Sequence, residues 1–187
     1  MWEIKRVFDI AASAAALLLL SPLLGAVALL VLLDDGRPVI YRQARVGKHN
    51  ELFQIRKFRT MHRGTQSTAQ SEMQGSGRYT RTGRLLRALS LDELPQLLNI
   101  LEGTMSFVGP RPLIPEERSI REMRAQANVY DVLPGLTGWA QVNGRANVTG
   151  KEKVALDAEY LRRQSFLFDM KILLKTAIQV ITRKDVG

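Results

Sequence analysis

Two adjacent acids, Asp92 and Glu93, lie between leucines in the stretch SLDELPQLLNI of a chain that is otherwise strongly basic. An ionised carboxylate at such a position can bind Mg²⁺ or attack a phosphorus centre as a nucleophile. The stretch directly follows a series of regularly spaced arginines, Arg78, Arg81, Arg84 and Arg87. The carboxylate pair therefore lies where a phosphorylated substrate would find both a nucleophile and neutralising charge.

The same residues also fit a structural role. Ser90 and Glu93 match a capping box, in which each side chain satisfies a backbone amide at a helix start. Pro95 would disturb a regular helix at that distance from the cap, which predicts an irregular turn. In such a turn, free amides and the helix dipole would hold Asp92 ionised beside Glu93. The pair alone leaves the capping and catalytic interpretations open.

Arg111 stands between two prolines in the segment VGPRP. The flanking prolines favour an extended backbone, so the residue loses little entropy on binding and suits a phosphate clamp. A rigid surface turn with a solvated arginine is the alternative. Lys57 and Arg59 in RKFRTM and Arg145 after Gly144 supply further cations, each of which alone is more typical of a solvated surface.

The composition limits the class of partner. With 187 residues the chain is long enough for one domain with a core, and 27 Lys and Arg against 18 Asp and Glu give a net charge of +9. This excess predicts a polyanionic partner: nucleic acid, an anionic membrane surface or phosphorylated substrates. The absence of cysteine fits a reducing compartment, and with only His49 and His62 a bound metal would have oxygen ligands, as Mg²⁺ or Mn²⁺ does.

Residues 10–33 form an apolar segment, about 24 residues long, that could cross a bilayer as one helix. Ser21 and Pro22 interrupt it near the middle, and basic residues flank both ends, which favours the cytoplasmic side for both. A helix that enters the membrane, bends at Ser21 and Pro22 and returns to the same face satisfies both observations. A proline-kinked spanning helix is the alternative.

The chain as a whole is predicted to have an α+β, mainly helical fold. Residues 1–36 are assigned to the membrane segment and residues 37–187 to a catalytic domain. Alternating residues around 47–50 indicate a hairpin, 64–77 a loop, and LPGLTGWAQVNGR a turn and strand. Helical patterns cover 85–101 with interruptions, a stretch starting near Pro115, 151–163 and 168–183. The last is amphipathic and could lie on a membrane surface or pack on the core of its own domain.

Several stretches together resemble the monotopic phosphoglycosyl transferases of the bacterial sugar transferase family. They are KRVFD, the Ser21-Pro22 pair, RVG, KFRTM, PGLTGWAQVNGR, the final D-x-x-Y and S-x-x-x-D segments, and a long central block, TRTGRLLRALSLDELPQLLNILEGTMSFVGPRPL. The resemblance covers nearly the whole chain. Nucleic-acid binding would leave the membrane segment unused, and a scaffold protein would not need the acid pair beside Arg111.

The resemblance implies transfer of a phosphosugar from a UDP-sugar to undecaprenyl phosphate, with release of UMP and dependence on Mg²⁺. It implies that Asp92 is the nucleophile and forms a phosphosugar-aspartyl intermediate, and that Glu93 assists as a metal ligand beside Asp92 or as a base. Lys57, Arg87, Arg111 and Arg145 match positions expected near phosphates.

For location, the resemblance implies a re-entrant helix in the cytoplasmic membrane of a bacterium, with the catalytic domain on the cytoplasmic face among membrane lipids. No nucleic-acid partner is expected. The residues point to no particular sugar, glycan pathway or oligomeric state.

Overall fold

The computed structural model describes residues 2–62, 78–144 and 149–182, which form a mainly helical α+β chain with two small sheets. The predicted fold class is confirmed to that extent. The predicted loop 64–77 lies outside the described residues. In chain order the helices and strands are α1 (Trp2–Leu19), α2 (Ser21–Asp35), β1 (Ile40–Val46), β2 (Leu52–Phe58), α3 (Arg81–Ala88), α4 (Gln96–Glu102), β3 (Ser106–Val108), α5 (Arg118–Gln126), β4 (Gly135–Thr137), α6 (Trp139–Gly144), α7 (Gly150–Arg163) and α8 (Phe166–Thr182).

The apolar segment consists of two helices that meet at an angle. Among the described residues no helix has by itself the length and apolar character to cross a membrane, whereas Glu3–Leu19 and Ser21–Asp35 have them as a pair bent by 63°. Pro22 lies in the first turn of α2, where a missing amide costs little, and Ser21 Oγ donates to the Leu18 carbonyl at 2.8 Å. The bend therefore lies at the predicted Ser-Pro pair.

Polar side chains of the motif KRVFD fix the start of α1 to the rest of the chain. Lys5 Nζ donates to the Val108 carbonyl at 2.9 Å and forms a buried ion pair with Asp169 of α8. Arg6 donates to the last carbonyls of α4, and Asp9 accepts from a backbone amide of β3. Lys5 and Arg6, which the sequence presents as flanking charges, thus also dock α1 onto β3, α4 and α8.

Helix α2 packs directly on the elements that carry two of the predicted phosphate ligands, Lys57 and Arg87. Val27 and Val31 form a buried cluster with Phe58 of β2 and Leu86 of α3. Phe58 follows Lys57, and Leu86 precedes Arg87. Burial of this hydrophobic cluster therefore fixes α2 beside the residues that carry both candidate cations.

Strands β1 and β2 form the predicted hairpin. They are antiparallel, with Tyr41 opposite Lys57 and Val46 opposite Leu52. The tip is a short 3-10 turn, Lys48–Asn50, with His49 and Asn50 at positive φ. The second sheet pairs the short strands β3 and β4 in parallel.

One local prediction is wrong, and another is confirmed only in part. Helix α5 begins at Arg118 rather than near Pro115, because the Glu117 carboxylate accepts from the Ile114 amide at 3.0 Å and a turn precedes the helix. The predicted strand in LPGLTGWAQVNGR ends at Thr137, and the residues that follow form α6. Helical geometry there turns Val142 into the core that β3 and α7 share.

Helix α8 presents apolar residues on two faces. Phe168 and Ile172 are buried in the core with Tyr160 of α7, so the predicted packing of this helix on its own domain is confirmed for that face. Leu167 and Leu174 on another face are 81% and 64% exposed. The division into residues 1–36 and 37–187 remains a prediction.

Candidate active site

The acid pair lies in a short 3-10 turn, Leu91–Glu93, between α3 and α4. Ser90, which directly precedes this turn, is in the left-handed conformation at φ 55°, and its side chain accepts no capping hydrogen bond. Pro95 stands directly before the first residue of α4, where its missing amide breaks no helical bond. The capping-box interpretation is therefore wrong, and the predicted irregular turn is confirmed.

Glu93 is held by two cations that contact the same oxygen. Its Oε1 accepts from Lys57 Nζ at 2.7 Å and from Arg111 Nη2 at 2.9 Å. Burial alone would raise the pKa of Glu93, but the charges of Arg111 and Lys57 outweigh it and hold the pKa well below its usual range. Glu93 is therefore an anion that fixes β2 and the Pro-Arg-Pro segment against the turn.

Asp92 is more buried than Glu93 and is bound less tightly by its neighbours. It is only 6% exposed, and within the described part of the chain it forms no ion pair within 4 Å. Burial, and then the charge of Glu93, raise the pKa of Asp92, while Lys57 and Arg87 lower it. Burial therefore outweighs the backbone amides, which were expected to lower the pKa of Asp92. Its carboxylate is left available for a reacting group.

Arg87 is the member of the arginine series that lies close to the pair. It occupies the last turn of α3, half-buried, with its guanidinium 4.9 Å from the ring centre of Tyr79. Gly83 lets this helix approach the chain after β2 closely, because a Cβ there would lie 2.1 Å from the Thr60 carbonyl oxygen. Arg81 and Arg84 point to solvent. The turn from α3 thus places one guanidinium near Asp92.

A side chain that sequence reasoning missed fixes the segment of Arg111 from behind. Arg124 on α5 donates to the Arg111 carbonyl at 2.8 Å and to Asp157 of α7 at 2.6 Å. Arg124 is 3% exposed. In sequence it resembles any charged residue of a polar helix, and only the D-x-x-Y segment that begins at Asp157 hinted at a buried partner.

Asn99, in the same stretch as the acids, sets the spacing between α4 and β2. Its side chain accepts from the Arg56 amide at 3.1 Å and donates to the Gln54 carbonyl at 2.8 Å. It therefore bonds to the strand edge as a neighbouring strand would. Because Asn99 is 1% exposed, these bonds are shielded from water and hold the dyad beside Lys57.

The structure brings Asp92, Glu93, Lys57 and Arg111 together, with Arg87 beside them. Arg145 lies outside the described residues and stays a prediction. Among residues 2–62, 78–144 and 149–182 no group of three or more His, Cys, Asp or Glu could by itself hold a metal. Two adjacent carboxylates still fit Mg²⁺, which commonly takes one or two protein carboxylates and completes its shell with phosphate and water.

Comparison with known proteins identifies the family. The model of the bacterial sugar transferase family matches residues 1–183. An uncharacterised sugar transferase, EpsL, of Bacillus subtilis (strain 168) is 40% identical over 98% of this chain and 90% of its own length.

Two further relatives carry names that state an activity. The undecaprenyl-phosphate glucose phosphotransferase of Komagataeibacter xylinus is 42% identical over 94% of this chain, which spans only 36% of that protein. The UDP-glucose:undecaprenyl-phosphate glucose-1-phosphate transferase of Caulobacter vibrioides is 41% identical over 95% of this chain and 70% of its own length. The family resemblance is thereby confirmed: the chain belongs to the bacterial sugar transferase family and is a transferase.

Proposed function

We propose that this protein transfers a sugar phosphate from a UDP-sugar to undecaprenyl phosphate and releases UMP, as the first membrane step in building a bacterial glycoconjugate. A relative named for both substrates, and another named for glucose phosphotransfer with undecaprenyl phosphate, support the proposal. The observation that carries it is the buried Asp92, which has no ion pair among the described residues and adjoins a glutamate already neutralised by two cations. UDP-glucose is the first donor to test, since both relatives are named for glucose.

Asp92 is the nucleophile in this proposal. Its carboxylate attacks the β-phosphorus of the UDP-sugar, and the bond from that phosphorus to the bridging oxygen breaks, so UMP leaves with the electron pair. A phosphate oxygen of undecaprenyl phosphate then attacks the same phosphorus. The bond to Asp92 breaks, and the carboxylate is regenerated. Two displacements on one phosphorus account for all atoms and leave the enzyme unchanged.

Glu93 acts as an organiser and metal ligand rather than as a base. Its pKa is held low by Arg111 and Lys57 against the effect of burial, so it is a poor proton acceptor near neutral pH. Lys57, Arg111 and Arg87 oppose the negative charge that accumulates when a carboxylate attacks a diphosphate. Arg145 is proposed to add to this charge.

Mg²⁺ is the proposed cofactor, with Asp92 and Glu93 as its protein ligands. Glu93 Oε2 is not the atom that binds Lys57 and Arg111, and Asp92 lies next to it in the chain, so both can offer oxygen to a hard cation. When bound, the ion would supply further neutralisation of the phosphate oxygens.

The membrane proposal is that α1 and α2 form a re-entrant pair inserted from the cytoplasmic face of the bacterial inner membrane. Exposed apolar residues near the bend support it, since Leu18 and Leu19 are 79% and 80% exposed. Docking of Lys5 and Arg6 on β3, α4 and α8 also keeps the start of α1 on the catalytic side. The exposed apolar face of α8 would then lie on the membrane surface and contact lipids.

Replacing Asp92 by Asn should abolish turnover, because an amide cannot attack phosphorus. We expect UMP release from UDP-glucose, with undecaprenyl phosphate and Mg²⁺ present, to fall by at least about 10³-fold while the protein still inserts in membranes. Asp131→Asn, at an exposed aspartate in another 3-10 turn, is the matched control and should keep activity. Near-normal turnover in the Asp92 variant would end the assignment of the nucleophile.

The pH dependence of UMP release tests the charges around Asp92, which must be ionised to attack. Because burial and then Glu93 raise the pKa of Asp92, the rate should fall in acid with an apparent pKa above that of an ordinary aspartate. Arg87→Gln removes a charge that lowers this pKa and should move the acid limb to higher pH. At saturating Mg²⁺, Glu93→Gln removes a charge that raises it and should move the limb to lower pH. Shifts in the same direction in both variants would contradict the account.

Single cysteines test the membrane topology, since the chain has none of its own. In Trp2→Cys and Asn50→Cys, both thiols should react with a membrane-impermeant reagent in inverted inner-membrane vesicles, which expose the cytoplasmic face. Neither should react in spheroplasts, which expose the opposite face. Labelling of the two positions from opposite faces would show a kinked spanning helix instead.

A further inference from the structure

Arg45, on β1, contacts the chain segment that carries Arg111. Its Nη2 donates to Gln43 Oε1 at 2.7 Å, and its Nη1 lies 3.5 Å from the Pro112 carbonyl oxygen. Pro112 follows Arg111, whose guanidinium contacts Glu93. Arg45 therefore contacts the Pro-Arg-Pro segment one residue from Arg111, and its charge interacts with those of Arg111 and Glu93.

This guanidinium has no carboxylate of its own. Within the described part of the chain Arg45 forms no ion pair within 4 Å, and its Nε is buried without a hydrogen-bond partner. Among the acids, Glu117 interacts most strongly with the charge of Arg45, but the carboxylate of Glu117 accepts a hydrogen bond from the Ile114 amide. Burial, and then the like charge of Arg111, lower the pKa of Arg45. A half-buried guanidinium whose Nε is buried without a partner would be stabilised by an anion from outside the chain.

The charges of the site point the same way. Lys57 and Arg111 are paired with Glu93, whereas Arg87 lies near Asp92 and Arg45 lies beyond Arg111. The cations thus outnumber the dyad carboxylates, and the two that form no ion pair within the described residues come from separate elements, Arg87 from α3 and Arg45 from β1. A diphosphate presents two anionic groups and would use both.

The strand register shows from which side Arg45 comes. Tyr41 pairs with Lys57, and Ile40 at the start of β1 packs on the α2 cluster, so that end of the hairpin adjoins the membrane arm. Arg45 lies four residues beyond Tyr41 on β1, roughly 13 Å from it. A lipid phosphate would come from the α2 end, and a nucleotide dissolved in water from the other.

We propose that Arg45 binds the phosphate of the uridine nucleotide that departs in the first displacement. The proposal rests on the function proposed above and adds a residue to its donor site. Arg87 then serves the phosphate that is transferred, next to Asp92, and Arg45 the phosphate that leaves. The guanidinium is held by Gln43 before the nucleotide arrives, which reduces the entropy lost on binding.

Direct binding of UMP to the intact protein in detergent tests this assignment without turnover. Arg45→Gln should weaken UMP binding, measured by titration calorimetry, by roughly tenfold to a hundredfold, because a charge-assisted contact is lost. Arg45→Lys keeps the charge and should lose less. Arg42→Gln is the matched control, since Arg42 is exposed on the opposite face of the same strand, and its UMP affinity should stay within about twofold.

Steady-state kinetics separate the two possible phosphates. In Arg45→Gln the KM for the UDP-sugar should rise with the UMP dissociation constant, while the KM for undecaprenyl phosphate stays unchanged. Unchanged UMP binding, a rise confined to the KM for the lipid, or an equal loss in Arg42→Gln would each overturn the inference. If the wild-type protein binds UMP through Arg45 yet releases none from any UDP-sugar, the proposed function fails while the nucleotide site stands.

Discussion

The structure of the site depends on one carboxylate oxygen, Oε1 of Glu93, which binds Lys57 and Arg111 at the same time. These cations come from β2 and from the segment after β3, so the shared oxygen joins two separate parts of the chain to the turn between α3 and α4. The pairing also divides the dyad into unlike halves. Glu93 is stabilised as an anion, whereas burial, and then the charge of Glu93, raise the pKa of Asp92. Adjacent carboxylates with opposed shifts are suited to different roles, here an organiser and a nucleophile.

The surrounding fold keeps that oxygen in place. Asn99 bonds α4 to the edge of β2, and Arg124 holds the Arg111 carbonyl from behind while pairing with Asp157. Helix α2 joins the same framework, since it packs on Phe58, one residue from Lys57. A site built in this way has a fixed position relative to the proposed re-entrant helix, so a lipid phosphate and a nucleotide would reach it from opposite sides.

Local chemistry made part of this predictable. A proline inside an apolar helix predicts a break, prolines on either side of an arginine predict a fixed guanidinium, and a proline after two acids predicts an irregular turn. Each of these signals lies within a few residues of its effect. The burial of Asp92 was not predictable in this way, because it comes from packing between segments distant in sequence. Arg124 was missed for the same reason: on a polar helix, nothing local distinguishes a buried arginine from a solvated one.

The covalent intermediate on Asp92 is the central claim, and mass spectrometry of the protein and of its peptides tests it most directly. The protein is incubated with UDP-glucose and Mg²⁺ but without lipid, quenched, and digested to locate the adduct. The account predicts a hexose phosphate on the peptide that contains Asp92, formed together with UMP and lost when undecaprenyl phosphate is added. UMP release that requires the lipid, with no adduct at Asp92 in its absence, would contradict it.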